Sequence, residues 1–178
     1  MNNTPELNIS LKHVTADDIR LLASMSRETF YAAFGHLNSA DDMDAYTAKA
    51  FGHDQLLSEI ATPGSTFYFA ILNEQVTGFI KINTGHAQTE FKNRNSLEVE
   101  RLYVLAQHQG KKIGSQMLEA AVSMAVEQQR DMIWLGVWER NANAIRLYER
   151  MGFMHCGNHD FMLGGDRQTD LLMCRDLK

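Results

Sequence analysis

The sequence predicts a single domain over residues 1–178 of mixed α/β (α+β) class: a central mixed, mostly antiparallel sheet flanked by helices, with a parallel β-α-β core. Three observations carry that prediction. The apolar period is helical from about Thr15 to about Ala61 and changes to alternation at Ser65. Two strand patterns, STFYFAIL and VTGFIKIN, flank the short turn Asn73-Glu74-Gln75 and so form an antiparallel hairpin. Further on, LEVERLYV, IGSQMLEAAVSMAVEQQ and MIWLGVW read strand, helix, strand. Such a unit closes by a right-handed crossover and leaves its strands parallel.

The first strand is predicted from Leu7 to Val14, where LNISLKHV alternates. Thr15 then caps a helix that has Asp17 and Asp18 in its first turn, where the helix dipole favours negative charge. That helix runs to about Phe34 and Gly35 ends it. A second helical region begins at Ser39 and reaches about Ala61. After the hairpin, the polar segment Thr84 to Ser96 is a loop or an extension of the sheet. The helix from Ile113 is apolar on most faces and should lie buried against the sheet. NAIRLYERM forms a shorter helix with Asn143 as its amino-terminal cap and Gly152 as its carboxy-terminal one. Two short strands follow, near Phe153 to Cys156 and near Asp170 to Cys174.

The composition, 44% hydrophobic and 22% charged, is that of a globular chain able to bury a core. A net charge of -5 leaves no basic face, so direct nucleic-acid binding is not expected. The start MNNTPELNIS has neither the basic nor the apolar part of a signal peptide. The longest apolar run, Phe67 to Leu72, is too short to span a membrane. These readings predict a cytoplasmic protein whose Cys156 and Cys174 are reduced thiols. His155 beside Cys156 is a pair without metal-site spacing, and no metal is expected.

The stretch ERLYVLAQHQGKKIG asks for an explanation. It puts two glycines and two lysines between a strand and a helix start that has no visible cap. The first amides of a helix lack partners and, with the dipole, attract anions; glycines let a phosphate approach the backbone. A plain turn with solvated lysines is the alternative. The spacing of Gly110 and Gly114 does not fit a P-loop, and no dinucleotide fingerprint is present. Downstream, GVWERNANAIRLYERMGF places Asn141 after a strand, with Ala144, Leu147 and Tyr148 on one face of the next helix.

A strand ending in LYV, then QGKKIG opening a helix, then N-x-x-A-x-x-L-Y-x-x-x-G-F resembles the GNAT family of acetyl-CoA-dependent N-acetyltransferases. The likeness covers roughly residues 65 to 175. SLEVERLYV, IWLGVWERNANAIRLYERMGF and QTDLLM resemble the PaiA-type polyamine N-acetyltransferases within it. One position departs: the family's loop usually has glycine where this chain has Lys112. If that position needs positive φ, lysine carries a cost, while Gly110 offers flexibility nearby and the lysine side chain offers charge.

The resemblance implies acetyl-CoA as co-substrate. The amides of Gln109, Gly110, Lys111, Lys112, Ile113, Gly114 and Ser115 would hold the coenzyme A pyrophosphate. Backbone at Leu102, Tyr103 and Val104 would pair with the pantetheine arm as an added strand does. An amide near Val104 or Leu105 would face the thioester carbonyl and stabilise the oxyanion. Asn141 becomes a side-chain contact to pantetheine, Ala144 a close packing position, and Arg150 either a phosphate contact or a solvated helix-end arginine. Tyr148 becomes the general acid toward the leaving thiolate.

An amine with pKa about 10.4 is neutral in only roughly 1 molecule in 2,500 at pH 7, so a base helps. Simple alternation puts Glu98, Glu100, Leu102 and Val104 on one side of their strand and Leu97, Val99, Arg101 and Tyr103 on the other. By its position before Val104, Glu100 matches a water-linked base of polyamine-acetylating relatives; a structural or substrate-anchoring carboxylate is the other reading. Glu28, Tyr31, Glu98 and Trp138 are candidates to wall an acidic, aromatic groove for a small cationic amine. Spermidine or spermine is the leading acceptor. An amino acid, a peptide or protein amine, or an aminoglycoside is the alternative, as is a non-catalytic acetyl-CoA-binding regulator. The fold is compatible with a homodimer, but no interface is legible in the sequence.

Overall fold

A computed structural model describes residues 8–36, 38–163 and 166–178. The chain runs β1 (Ser10–His13), α1 (Ile19–Phe34), α2 (Ala40–Ala50), α3 (His53–Ala61), β2 (Ser65–Leu72) and β3 (Gln75–Thr84). It continues with β4 (Ser96–Val104), α4 (Ile113–Glu127), β5 (Met132–Trp138), α5 (Ala142–Arg150), β6 (Met154–Leu163) and β7 (Asp166–Asp176). The strands form one seven-stranded sheet in the order β1-β2-β3-β4-β5-β7-β6. Only the β4–β5 pair is parallel, the outcome of the α4 crossover; the other neighbours are antiparallel. No helix among the described residues is long and apolar enough to cross a membrane.

Several local predictions need adjustment. β1 begins at Ser10, and Leu7 lies outside the described residues. Thr15 and Asp18 form a reciprocal capping box around a single 3-10 turn, so α1 starts at Ile19. The second helical region is two helices that part at Phe51-Gly52. Phe51 turns inward beside Phe30 and Met43, and Gly52 passes so close that a Cβ would lie 2.9 Å from the Ala48 carbonyl oxygen. The hairpin turn consists of Asn73 and Glu74, both at positive φ as a primed turn requires, with Gln75 already in β3.

The closing strands are far longer than the apolar runs suggested. Polar residues carry their ladder from Met154↔Cys174 to Leu163↔Asp166, because backbone pairing continues whether or not side chains are buried. That register overturns the reduced-thiol reading. A bulge between His155 and Gly157 sets Cys156 near Cys174, and the two form a disulfide with Cα atoms 5.9 Å apart. The eighteen-residue separation had offered no cue, since it becomes proximity only through the hairpin.

The two faces of the sheet have separate cores. On one, α4 and α5 cover Leu97, Val99, Ile133, Leu135 and Met173, with Met117, Leu118, Ala121 and Tyr148 packed among them. On the other, Leu22 and Met25 of α1 and Leu56 of α3 cover Phe67, Phe69 and Phe79. Phe30, Met43 and Phe51 extend this second core toward the middle of the sheet.

Candidate active site

The site arises where two strands part. β4 pairs with β5 from Ser96↔Met132 to Val99↔Leu135 and no further. Above that point β4 stays with β3 as far as Val104, and β5 stays with β7 as far as Trp138. A bulge in β4 accompanies the divergence: Lys81 faces Arg101 while Ile82 faces Val99, so Glu100 is an extra residue with no opposite number. This corrects the simple alternation. Leu102 and Val104 join Leu97 and Val99 on the core under α4, while Glu98, Arg101 and Tyr103 belong to the opposite face.

The bulge also exposes backbone. The Leu105 amide donates to the Thr77 carbonyl at 2.9 Å. By the alternation of an antiparallel ladder, the polar groups of Val104 and Leu102 therefore point away from β3, toward the space β5 has left. Of the two predicted oxyanion amides, Leu105 is thus committed and Val104 is available. The Val104 carbonyl accepts from the Gln109 side chain at 3.2 Å, tying the glycine loop to the end of the open strand.

In that loop Gly110 has φ +77°, and a Cβ on it would touch nothing within 4 Å. Lys112 caps α4 with backbone alone, in the left-handed region at φ 61° and ψ 13°. The departing lysine thus occupies the conformation that glycine accommodates best, at a cost of about 1 kcal/mol. Both lysines are exposed. Gly114 rests against the Leu102 and Val104 side chains, so the amino terminus of α4 sits directly on the open edge.

A cavity of about 270 Å³ fills the parting. Glu98, Glu100, Leu102, Tyr103, Trp138, Asn141 and Tyr148 line it, which brings together the predicted central residues. Val104, Ala144, Arg150 and residues 109–115 lie outside its lining. Glu28 and Tyr31 also lie outside; both are exposed, and Tyr31 hydrogen-bonds to Asp44. The aromatic wall comes instead from Phe30, Phe34, Tyr46 and Phe51, with Phe34 edge-on to Trp138 at 5.8 Å. Glu90, His159 and Asp170 were not anticipated either. Asp170 carried a faint signal, an acid entering the apolar run DLLM, but only the Trp138↔Asp170 register aims it at the cavity.

The acids differ sharply in their surroundings. Glu100 contacts Lys81 at 2.6 Å and Arg101 at 3.4 Å, and Asn83 donates to it at 2.6 Å. Lys81 and Arg101 also hold Glu59, each at 2.9 Å, closing a network of two cations and two anions. Burial works against the Glu59 charge, but Arg101 and Lys81 keep its carboxyl below the usual range. Glu98 is buried and accepts from Asn83 and from the Thr89 amide, both at 2.9 Å, and from the Thr89 hydroxyl. Burial nevertheless pushes Glu98 upward, and nearby Glu100 adds to the rise. Asp170 is likewise pushed up by burial, partly offset by His159.

Tyr148 projects from α5 into the cavity, and burial alone pushes its hydroxyl up to about 12. Asn141, not Asn143, caps α5: its Oδ1 accepts from the Ala144 amide at 3.2 Å. Asn143 instead accepts from Arg146. No cluster of three or more His, Cys, Asp or Glu suited to a metal occurs among the described residues.

Comparison with known proteins agrees with this architecture. Residues 26–153 match the model of the acetyltransferase (GNAT) family. An uncharacterized N-acetyltransferase of Lactobacillus delbrueckii subsp. lactis is 39% identical over 95% of this chain and 98% of its own length. A spermine/spermidine N(1)-acetyltransferase of Bacillus subtilis is 38% identical over 35% of this chain and 42% of its own. Among solved structures, the PaiA N-acetyltransferase of Thermoplasma acidophilum, in complex with coenzyme A, superposes with a TM-score of 0.76 at 20% identity. That match covers 95% of this chain and 99% of the other.

Proposed function

The chain belongs to the GNAT family of N-acetyltransferases, and from that premise we propose that it acetylates a primary amine of a polyamine, spermidine or spermine. The observation that carries the acceptor class is the cavity itself, where Glu90, Glu98, Glu100 and Asp170 stand among aromatic rings. Carboxylates and ring faces together suit a slender polycation. The partial likeness to a spermine/spermidine acetyltransferase supports the same reading.

Acetyl-CoA, when bound, supplies an acetyl thioester. The loop from Gln109 to Ser115 suits its phosphates: the amides that open α4 have no side-chain cap, Gly110 leaves its surroundings open, and Lys111 and Lys112 add charge. Arg150, exposed in the last turn of α5, would add a further cation. The open polar groups of Leu102, with Tyr103 and Val104 continuing the same edge, would receive the pantetheine amides as a strand edge does. The Val104 N–H is the donor for the developing oxyanion. Asn141 keeps its side-chain amide NH2 for pantetheine while its oxygen fixes the start of α5, and Ala144 allows close approach.

Tyr148 acts in this reading as a hydrogen-bond donor to the leaving sulfur. With its hydroxyl near 12, full transfer to a thiolate near 8.5 would be uphill by about 3.5 units, or roughly 5 kcal/mol. A donated hydrogen bond stabilises the thiolate without that penalty. Glu100, held by Lys81, Arg101 and Asn83, fixes the bulge and with it the width of the cleft.

Coenzyme A release, followed with a thiol reagent at pH 8 over spermidine, spermine, lysine, a peptide and an aminoglycoside, tests the proposal. Turnover on the polyamines at least tenfold above the other amines is the expected result. Preference for another amine would replace the substrate. Acetyl-CoA binding with no turnover on any of them would sink the catalytic reading.

A further inference from the structure

The carboxylates of the cavity are not equivalent. Both Glu100 oxygens are engaged, Oε2 by Lys81 and Asn83 and Oε1 by Arg101. Both Glu98 oxygens are engaged, Oε2 by Asn83 and the Thr89 amide and Oε1 by the Thr89 hydroxyl. Glu90 is paired with His159 at 2.7 Å. Asp170 lines the same cavity and, among the described residues, takes part in no ion pair and no side-chain hydrogen bond. A half-buried carboxylate left that way is costly unless something supplies the missing cation.

Its position is built to keep it open. Asp170 stands on β7 opposite Trp138, at the unzipped end of β5. The neighbouring β5 position is Gly136, where an added Cβ would lie 3.7 Å from the Asp170 Oδ2. That distance is ordinary van der Waals contact, and glycine at this exposed position leaves the flank of the carboxylate uncovered. Tyr103, Tyr148 and Asp170 all line this cavity, so acid and hydroxyl share one space.

We propose that Asp170 is the acceptor-binding base of this enzyme: it receives the substrate ammonium in the β4–β5 cleft and removes the proton that keeps nitrogen from attacking. This rests on the acetyl-transfer reading above and moves the base from Glu100 to Asp170. The ammonium gives one proton to the Asp170 carboxylate, which later passes it to solvent. The neutral nitrogen uses its lone pair to bond the acetyl carbon. The carbon–sulfur bond then breaks with its electron pair on sulfur, and a second nitrogen-bound proton ends on that sulfur. Burial makes Asp170 a stronger proton acceptor than an exposed aspartate.

The titratable groups facing it are His159 from β6, Tyr46 from α2, Tyr103 from β4 and Tyr148 from α5, with Glu98, Glu100 and Arg101 also in β4 and Glu90 in the loop before it. β5 offers Trp134, Gly136, Val137 and Trp138, none of them titratable. Burial raises all three tyrosines, so they stay protonated through neutral pH. Comparing variant with wild type at each pH divides out every group the two share.

The test uses the full chain with Asp170→Asn, Asp170→Glu and Glu100→Gln, each checked for melting temperature and coenzyme A affinity. Spermidine binding without acetyl-CoA is measured calorimetrically, and kcat/KM for spermidine is followed from pH 7 to 9.5. Asp170→Asn should bind spermidine about tenfold more weakly and lose about 100-fold in kcat/KM at pH 7. At pH 9.5 roughly a tenth of the amine is already neutral, so that deficit should shrink below about tenfold. Asp170→Glu should recover part of the pH 7 rate, and Glu100→Gln should lose less than about tenfold. An Asp170→Asn deficit within threefold, or equal at every pH, overturns the proposal. So does a pH-dependent deficit in Glu100→Gln alone. If wild type ignores spermidine but turns over another amine, the polyamine reading falls, and the same comparison with that amine decides Asp170. Wild type inactive on every amine overturns both.

Discussion

The two halves of the β4–β5 seam are made from the same strands and do opposite work. From Ser96 to Val99 and from Met132 to Leu135 the strands are paired, and their residues are buried. From Glu100 to Val104 and from Gly136 to Trp138 they diverge, and the gap contains acids, aromatic rings and backbone that has lost its neighbour. One extra residue, Glu100, marks the boundary. The closed half supplies rigidity, and the open half presents unsatisfied polar groups that a bound molecule can satisfy. The candidate cleft is a sheet prevented from finishing its hydrogen bonds.

That contrast can be broken from either side. The largest effect belongs to the closed half. Ile133, fully buried between β4 and β7, should cost about 2–5 kcal/mol of unfolding free energy as Ile133→Ala, measured by denaturant titration. A loss under 1 kcal/mol would mean the seam is not the rigid half.

In the open half, Tyr148→Phe should lower kcat about 100-fold, equivalent to roughly 2.7 kcal/mol of transition-state stabilisation. Coenzyme A affinity should stay within about twofold. A matching loss of affinity would make Tyr148 a binding residue.

A smaller effect of opposite sign tests what the open half costs. Folding raises the Asp170 carboxyl above its ordinary 3.8, so the folded state holds that proton more tightly than the unfolded chain. The associated stability is present at low pH and is lost as pH rises through the folded value. Asp170→Asn should therefore melt higher than wild type at pH 7, with the difference fading as pH falls below about 3.8. A lower melting temperature at pH 7 would show the carboxylate to be structurally satisfied.

The smallest change is expected at Lys112. Relief of its left-handed strain, set against the extra freedom glycine gains when unfolded, leaves Lys112→Gly about 0.5 kcal/mol more stable. Loss of one loop cation should weaken coenzyme A binding by up to about fivefold. Tighter binding would identify the lysine as an impediment to the phosphates.

The sequence by itself determined most of the elements and pointed to several residues that the fold brings to one cavity. Periodicity located β2 through α5 because hydrophobic spacing is a local property of a helix or strand. The QGKKIG loop and Tyr148 were legible as candidates because the motifs that carry them lie in contiguous residues. Only the tertiary structure decided the rest. The β4 bulge depends on register with β3, so alternation alone put Glu100, Leu102 and Val104 on one face. The Cys156–Cys174 bond and the inward aim of Asp170 depend on the β5-β7-β6 register, which no local window contains. Phe30, Phe34 and Tyr46 reach the cavity because α1 and α2 pack over the sheet there, while Glu28 and Tyr31 on the same stretch turn outward. Which carboxylate is left without a partner is a question about a cavity lined from four strands and three helices, and the folded chain alone assembles them.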